Sequence, residues 1–195
     1  MLLVLAALAM PSVADPGELI GAAERDGEAW LMAAVAFFLA SIGLTMGLPA
    51  ILTMFPGRLQ SACLAGVWLW AVGTIGTAAV AAMLILFRAT VRTGVLTDDA
   101  VAEMSRDHAL VALLLAVVGA FLLGELVVAL LLLRSRVAPR WVPIVLLVHV
   151  VLAPINHLAP IGVQGLPSLL LGVGLMGVAV RATELWAGTR GPAPS

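Results

Sequence analysis

The amino-acid sequence predicts an all-α, polytopic transmembrane helical bundle of five to six helices, and three observations predict it. Of 195 residues, 63 % are hydrophobic and only 11 % are charged, which is the composition of a membrane protein. Several apolar runs reach the ~20 residues that, at about 1.5 Å each, cross a hydrocarbon core roughly 30 Å thick. The arginines also alternate between two sets along the chain, as they do when successive loops lie on opposite sides of a bilayer.

The first apolar run, Met1 to Met10, is only about half a bilayer long and is followed by Pro11. Residues 1–14 read either as a short first span or as a secretory signal, since Ser12-Val13-Ala14 offers small residues at a cleavage site. Residues 15–28 carry Asp15, Glu18, Glu24, Asp26 and Glu28 against Arg25, and are expected to form an external acidic loop with about one helical turn. The transmembrane domain is assigned to residues 29–190, and the Gly- and Pro-containing residues 191–195 to a disordered tail.

The second run, Trp30 to about Phe55, opens with a tryptophan suited to the membrane interface and carries Gly43 and Gly47 before Pro49. Glycines at i, i+4 allow a neighbouring helix to approach closely, and an internal neighbour is the commoner partner. After the turn at Pro56-Gly57-Arg58, a third run extends from Ser61 to about Phe87, with Gly73, Thr77 and Ala81 on one row. Its Trp68 and Trp70 lie deeper than an interfacial belt and are expected to pack against the bundle. Thr97-Asp98-Asp99 reads as a helix start, a hydroxyl cap followed by first-turn acids, from which the fourth run continues inward past Asp107 and His108.

That fourth run, Ala109 to Leu133, carries one ionisable group, Glu125, beside a row of small residues at Ala112, Ala116, Ala120 and Gly124. An arginine-rich turn follows, and then a return arm from Trp141 to Pro160, interrupted by Pro143 and Pro154 and carrying His149. Glu125 precedes Val137, in the middle of the turn, by as many residues as His149 follows it. In an antiparallel hairpin both therefore sit at one depth, about nine residues or roughly 13 Å beyond the flanking arginines and near the bilayer centre. The last span, about Leu166 to Val180 with extension to Trp186, has Gly172, Gly174 and Gly177 for close packing.

Arg58, Arg134, Arg136, Arg140, Arg181 and Arg190 fall on one side of this threading; Arg25, Arg88, Arg92 and Arg106 share the other with nearly all the acids. The positive-inside rule makes the first side cytoplasmic. The expectation is a multi-pass protein of the inner cell membrane with its carboxyl terminus in the cytoplasm.

An ionisable group at the bilayer centre is expensive and is a functional candidate by default. Glu125 and His149 therefore form the candidate intramembrane polar pair, either as a hydrogen-bonded tie between two helices or as a site handling protons or a solute. Asn156 and His157, near the loosened outer end of the return arm, are the candidate external pocket, with ordinary polar residues at a span end as the alternative. The chain has no Walker loop, dinucleotide fingerprint, nucleophile elbow, HExxH pair or CxxC. The lone Cys63 can form no internal disulfide. No catalytic residue, cofactor or metal is assigned, and with a formal net charge of −1 and no basic stripe, no nucleic-acid partner is expected.

The short first run, the acidic stretch before Trp30, the turn Pro56-Gly57-Arg58 and above all Arg134-Ser135-Arg136-Val137-Ala138-Pro139-Arg140-Trp141 resemble the small multi-span bacterial membrane proteins grouped as domains of unknown function. That resemblance covers most of the chain in layout, implies six helices and implies no activity. The function expected is a non-enzymatic, membrane-embedded interaction or accessory protein, in contact with membrane lipids and with a membrane-protein partner or a second copy. The alternatives are a small-solute or proton-coupled transporter using Glu125, and a membrane enzyme acting on a lipid or isoprenoid-like substrate.

Overall fold

The computed structural model describes residues 19–55, 57–156 and 165–189, which form seven α-helices and one short 3-10 turn, with no strand among them. In chain order the helices are α1 (Leu19–Arg25), α2 (Gly27–Thr53), α3 (Gln60–Arg92), α4 (Asp98–Arg106), α5 (His108–Ser135), α6 (Trp141–Leu152) and α7 (Leu166–Thr189); the 3-10 turn is Gly57–Leu59. Four of them, α2, α3, α5 and α7, are long and apolar enough to cross a membrane by length and composition. The expectations for residues 1–14, for His157 and for residues 191–195 lie outside the described residues.

Helix α3 packs against α2 on one side and α5 on the other; α5 packs against α6, α6 against α7, and α7 lightly against α2. Glycine sets the closest approaches. A side chain at Gly66, Gly73 or Gly76 of α3 would overlap Val127, Phe121 or Val117 of α5, and one at Gly124 of α5 would overlap the backbone of Trp70. These contacts fix an antiparallel α3–α5 register with the two backbones nearly touching, which is how helices associate where no water is available to drive them together. Between α2 and α3, the Thr45 and Thr74 hydroxyls lie 3.2 Å apart, and Arg88 closes one end by donating from Nε to the Gly27 carbonyl at 2.6 Å and from Nη2 to Glu28 at 3.1 Å. At the other end, Arg181 of α7 donates from Nε to the Val137 carbonyl at 2.6 Å, which pins α7 to the arginine turn.

Several elements depart from the sequence reading for identifiable reasons. The acidic stretch holds a full helix, α1, because Ala23 packs into a small apolar cluster with Trp30 and Val91. Trp30 is accordingly buried at 3 % exposure, stacked on Phe87 with ring centroids 5.4 Å apart, and does not present its ring to a membrane interface. Gly43 and Gly47 face no other helix: a Cβ at either position would have nothing within 4 Å. In the row on α5 only Gly124 is buried, Ala120 is half-buried, and Ala112 and Ala116 are exposed. Trp70 is fully buried, but Trp68, on the opposite side of α3, is 67 % exposed.

Helices α4 and α5 are separate, because Asp107 takes an extended conformation and its carboxylate accepts from the Leu110 amide at 2.7 Å. An aspartate that caps a helix start interrupts the helix before it. Asp107→Ala is expected to cost about 1 kcal/mol, seen as a lower thermal midpoint in detergent and faster amide exchange at Leu110.

The largest departure is α6. It has 12 residues where the sequence predicts a span to Pro160. Pro143 lies in its first turn, where amide donors have no helical acceptor in any case, and is tolerated; Pro154 would lie in its interior, where the missing donor and the ring break the helix. The helix ends at Leu152 and gives way to turns over 153–155.

Candidate functional site

The polar pair is built by the α5–α6 hairpin. Helix α5 ends with Arg136 in the left-handed region at φ 55°, its amide donating to the Leu132 carbonyl at 3.1 Å. The turn packs Ala138 into the main core and starts α6 at Trp141. Val142, Pro143, Leu146 and His149 then form the buried face of α6, and Gly124, Glu125, Val128, Ala129 and Leu132 the buried face of α5. Both sets follow the three- and four-residue spacing of a helix face, so once the hairpin packs, Glu125 and His149 share the contact surface.

They meet directly. Nδ1 of His149 lies 2.9 Å from Oε1 and 2.8 Å from Oε2 of Glu125. If Nδ1 of His149 carries the proton, both carboxyl oxygens accept it; if Glu125 carries it, one oxygen donates to Nδ1. Glu125 is 0 % exposed and His149 6 %, so an unpaired member of this pair would be a buried polar group with no water to satisfy it. Next to Glu125 on α5, Gly124 meets Trp70 of α3 backbone to backbone, and the Trp70 ring lies edge-on to Phe121, with centroids 6.1 Å apart. The indole Nε1 of Trp70 has no hydrogen-bond partner among the described residues.

Sequence reasoning expected Trp70 to pack against the bundle but did not pair it with Gly124. The available signal was the seven-residue interval between Gly66 and Gly73, which puts two glycines on one face of α3. The arginine clamps at Arg88 and Arg181 were not predicted either, since each joins two elements through a backbone carbonyl, which has no side-chain signature.

Of the second candidate group, Asn156 is half-buried, its amide donating to the Ala153 carbonyl at 3.3 Å; His157 lies outside the described residues. Glu125 and His149 offer one carboxylate and one imidazole to a metal, and among the described residues no three His, Cys, Asp or Glu side chains converge.

Away from the pair, an apolar groove of about 770 Å³ runs between α2 and α7, lined by Leu39, Gly43, Gly47 and Ile51 on one wall and Gly172, Leu175, Met176 and Trp186 on the other. Gly43 and Gly47 widen this groove, which is why they meet no partner helix. Neither Glu125 nor His149 lines it. Compared with known proteins, the chain matches no family model, no curated sequence and no solved structure.

Proposed function

We propose that the chain is a multi-pass integral membrane protein of the inner cell membrane, carboxyl terminus cytoplasmic, acting as a non-enzymatic interaction or accessory protein. The observation that carries this reading is the closure of the Glu125–His149 pair: the carboxyl group is wholly buried and both its oxygens face one ring nitrogen. A group so engaged ties α5 to α6 and presents no exposed oxygen to a substrate. Four long apolar helices support the membrane assignment, and the arginine sets support the orientation. The resemblance to small multi-span bacterial membrane proteins of unknown function agrees with this reading in its helical layout.

A proton-coupled or small-solute carrier is the second reading, favoured by one feature. Helix α6 stops one turn beyond His149, and helices broken at mid-membrane are how many carriers build their sites.

Native mass spectrometry of the chain released from mild detergent separates the two. Wild type and Glu125→Gln are expected to give the same species, with no small molecule lost on substitution. A defined ligand retained by wild type and lost from Glu125→Gln would replace the accessory reading by the carrier.

A further inference from the structure

The groove between α2 and α7 has the length of one membrane leaflet. Its α2 wall runs from Leu39 to Thr53 and its α7 wall from Gly172 to Trp186, roughly 21 Å each. Helices α2 and α7 are parallel, because α3, α5, α6 and α7 each reverse the direction of the helix packed before them. Both walls therefore end together, on the side of the arginine-rich turn. Gly174 packs on Leu146, within a turn of His149, so the opposite end of the groove lies near the level of the Glu125–His149 pair. On the membrane-spanning reading above, that level is the bilayer centre, and one leaflet with its headgroup region is about 21 Å deep.

Polarity changes along the groove as it does along a lipid. The lining is glycine and apolar side chains except at the inner end, where Thr53, Thr183 and Trp186 stand. The two hydroxyls donate to their own helices, Thr53 to the Ala50 carbonyl at 2.8 Å and Thr183 to the Val180 carbonyl at 2.7 Å. Just beyond, in the 3-10 turn, Arg58 is exposed and makes no ion pair among the described residues. A transmembrane helix does not fit this space. Over 21 Å, a helix about 10 Å across occupies about 1,600 Å³, against a groove of about 770 Å³. A spanning partner would also continue outward along the same face of α2, where Met32 and Val35 replace the small residues at 66 % and 42 % exposure. An acyl chain is narrower, is apolar throughout and stops at the bilayer centre, as the groove does.

We infer that this groove holds one acyl chain of an inner-leaflet phospholipid, with its anionic headgroup at the Arg58 end. The inference rests on the membrane-spanning reading. The chain packs between two helices that touch only lightly, and it covers the face that Gly43 and Gly47 leave open. Arginine next to a membrane surface attracts anionic headgroups, which gives the site a preference as well as a shape.

Native mass spectrometry with added lipid tests this. An alkaline carbonate wash of the membranes comes first; a chain released by it would refute the membrane reading itself. The retained chain is purified in mild detergent and offered equal amounts of phosphatidylglycerol and phosphatidylethanolamine with identical acyl chains. Wild type is expected to hold one phospholipid, mostly phosphatidylglycerol. Gly43→Leu combined with Gly47→Leu fills the groove and should lose most of the bound lipid. The first carbon of each new side chain meets nothing within 4 Å and leucine is the better helix former, so this variant is expected to fold. Gly119→Leu, equally unobstructed but outside the groove, should keep the lipid, as should Glu125→Gln. Arg58→Gln should keep a lipid with its preference for phosphatidylglycerol reduced about fivefold. Lipid held equally by the filled groove, or none on wild type, would overturn the inference. So would a wild-type dimer that the filled groove dissociates, which would assign the groove to a second copy. An unchanged headgroup preference in Arg58→Gln would overturn the anionic end of the proposal.

Discussion

Gly124→Val is expected to be the most damaging single substitution in the bundle. Even the first carbon of a side chain at this position would overlap the backbone nitrogen and Cα of Trp70. Backbone cannot rotate aside as a long side chain can, so α3 and α5 must separate. Separation would loosen the contacts that Gly66, Gly73 and Gly76 allow along the same interface. Overpacking of this kind costs about 3 kcal/mol, measured as a lowered midpoint of unfolding by sodium dodecyl sulfate in mixed micelles. Gly119→Ala provides the contrast, because nothing lies within 4 Å of the position its methyl would take. Alanine is a better helix former than glycine by about 1 kcal/mol, so Gly119→Ala should be neutral or slightly stabilising. Equal losses at the two positions would show that α5 tolerates no added volume anywhere and that the Gly124 contact is not special.

The same contrast explains what could be read from the sequence. Apolar run lengths identify α2, α3 and α5 because a run of more than about twenty apolar residues has few alternatives to a long helix; α7 was read from a shorter run, Leu166 to Val180, extended to Trp186. The Glu125–His149 contact was accessible because a hairpin with one central turn makes depth a matter of counting, and because both helix faces repeat at three and four residues. What counting could not supply was rotation about each helix. Glycine pairs mark places where a neighbour can come close, and they do not say whether one is there. Gly66, Gly73, Gly124, Gly174 and Gly177 have neighbours, whereas Gly43, Gly47 and Gly119 have none. Trp30 misled for a related reason: a tryptophan at a span end suits an interface, but α1 and Phe87 cover it. The early end of α6 was signalled by Pro154. In a membrane a proline inside a helix is often tolerated when neighbours satisfy the freed carbonyls, so the residue by itself did not fix the helix end.

Glu125→Leu and His149→Leu should each destabilise the bundle by about 2 kcal/mol, because each leaves the other partner buried with its polar atom unsatisfied. The double substitution should cost distinctly less than the two singles together, with a coupling of about 1 kcal/mol, in the range found for hydrogen bonds between membrane helices. Glu125→Gln should be mild. A carboxamide has both an acceptor oxygen and a donor NH₂, so it can serve Nδ1 of His149 whichever of the two carries the shared proton in the native pair. The order of effects therefore distinguishes a structural tie from a working carboxylate. A tie asks only for a hydrogen-bonding partner of the right shape, which glutamine supplies; a proton carrier or acid catalyst needs a group that ionises, which glutamine cannot replace. Additive effects of the two leucine substitutions would mean that the 2.8 Å contact contributes nothing to holding α5 and α6 together. The pair would then owe its buried place between α5 and α6 to something other than stability, and the accessory reading would lose the observation that carries it.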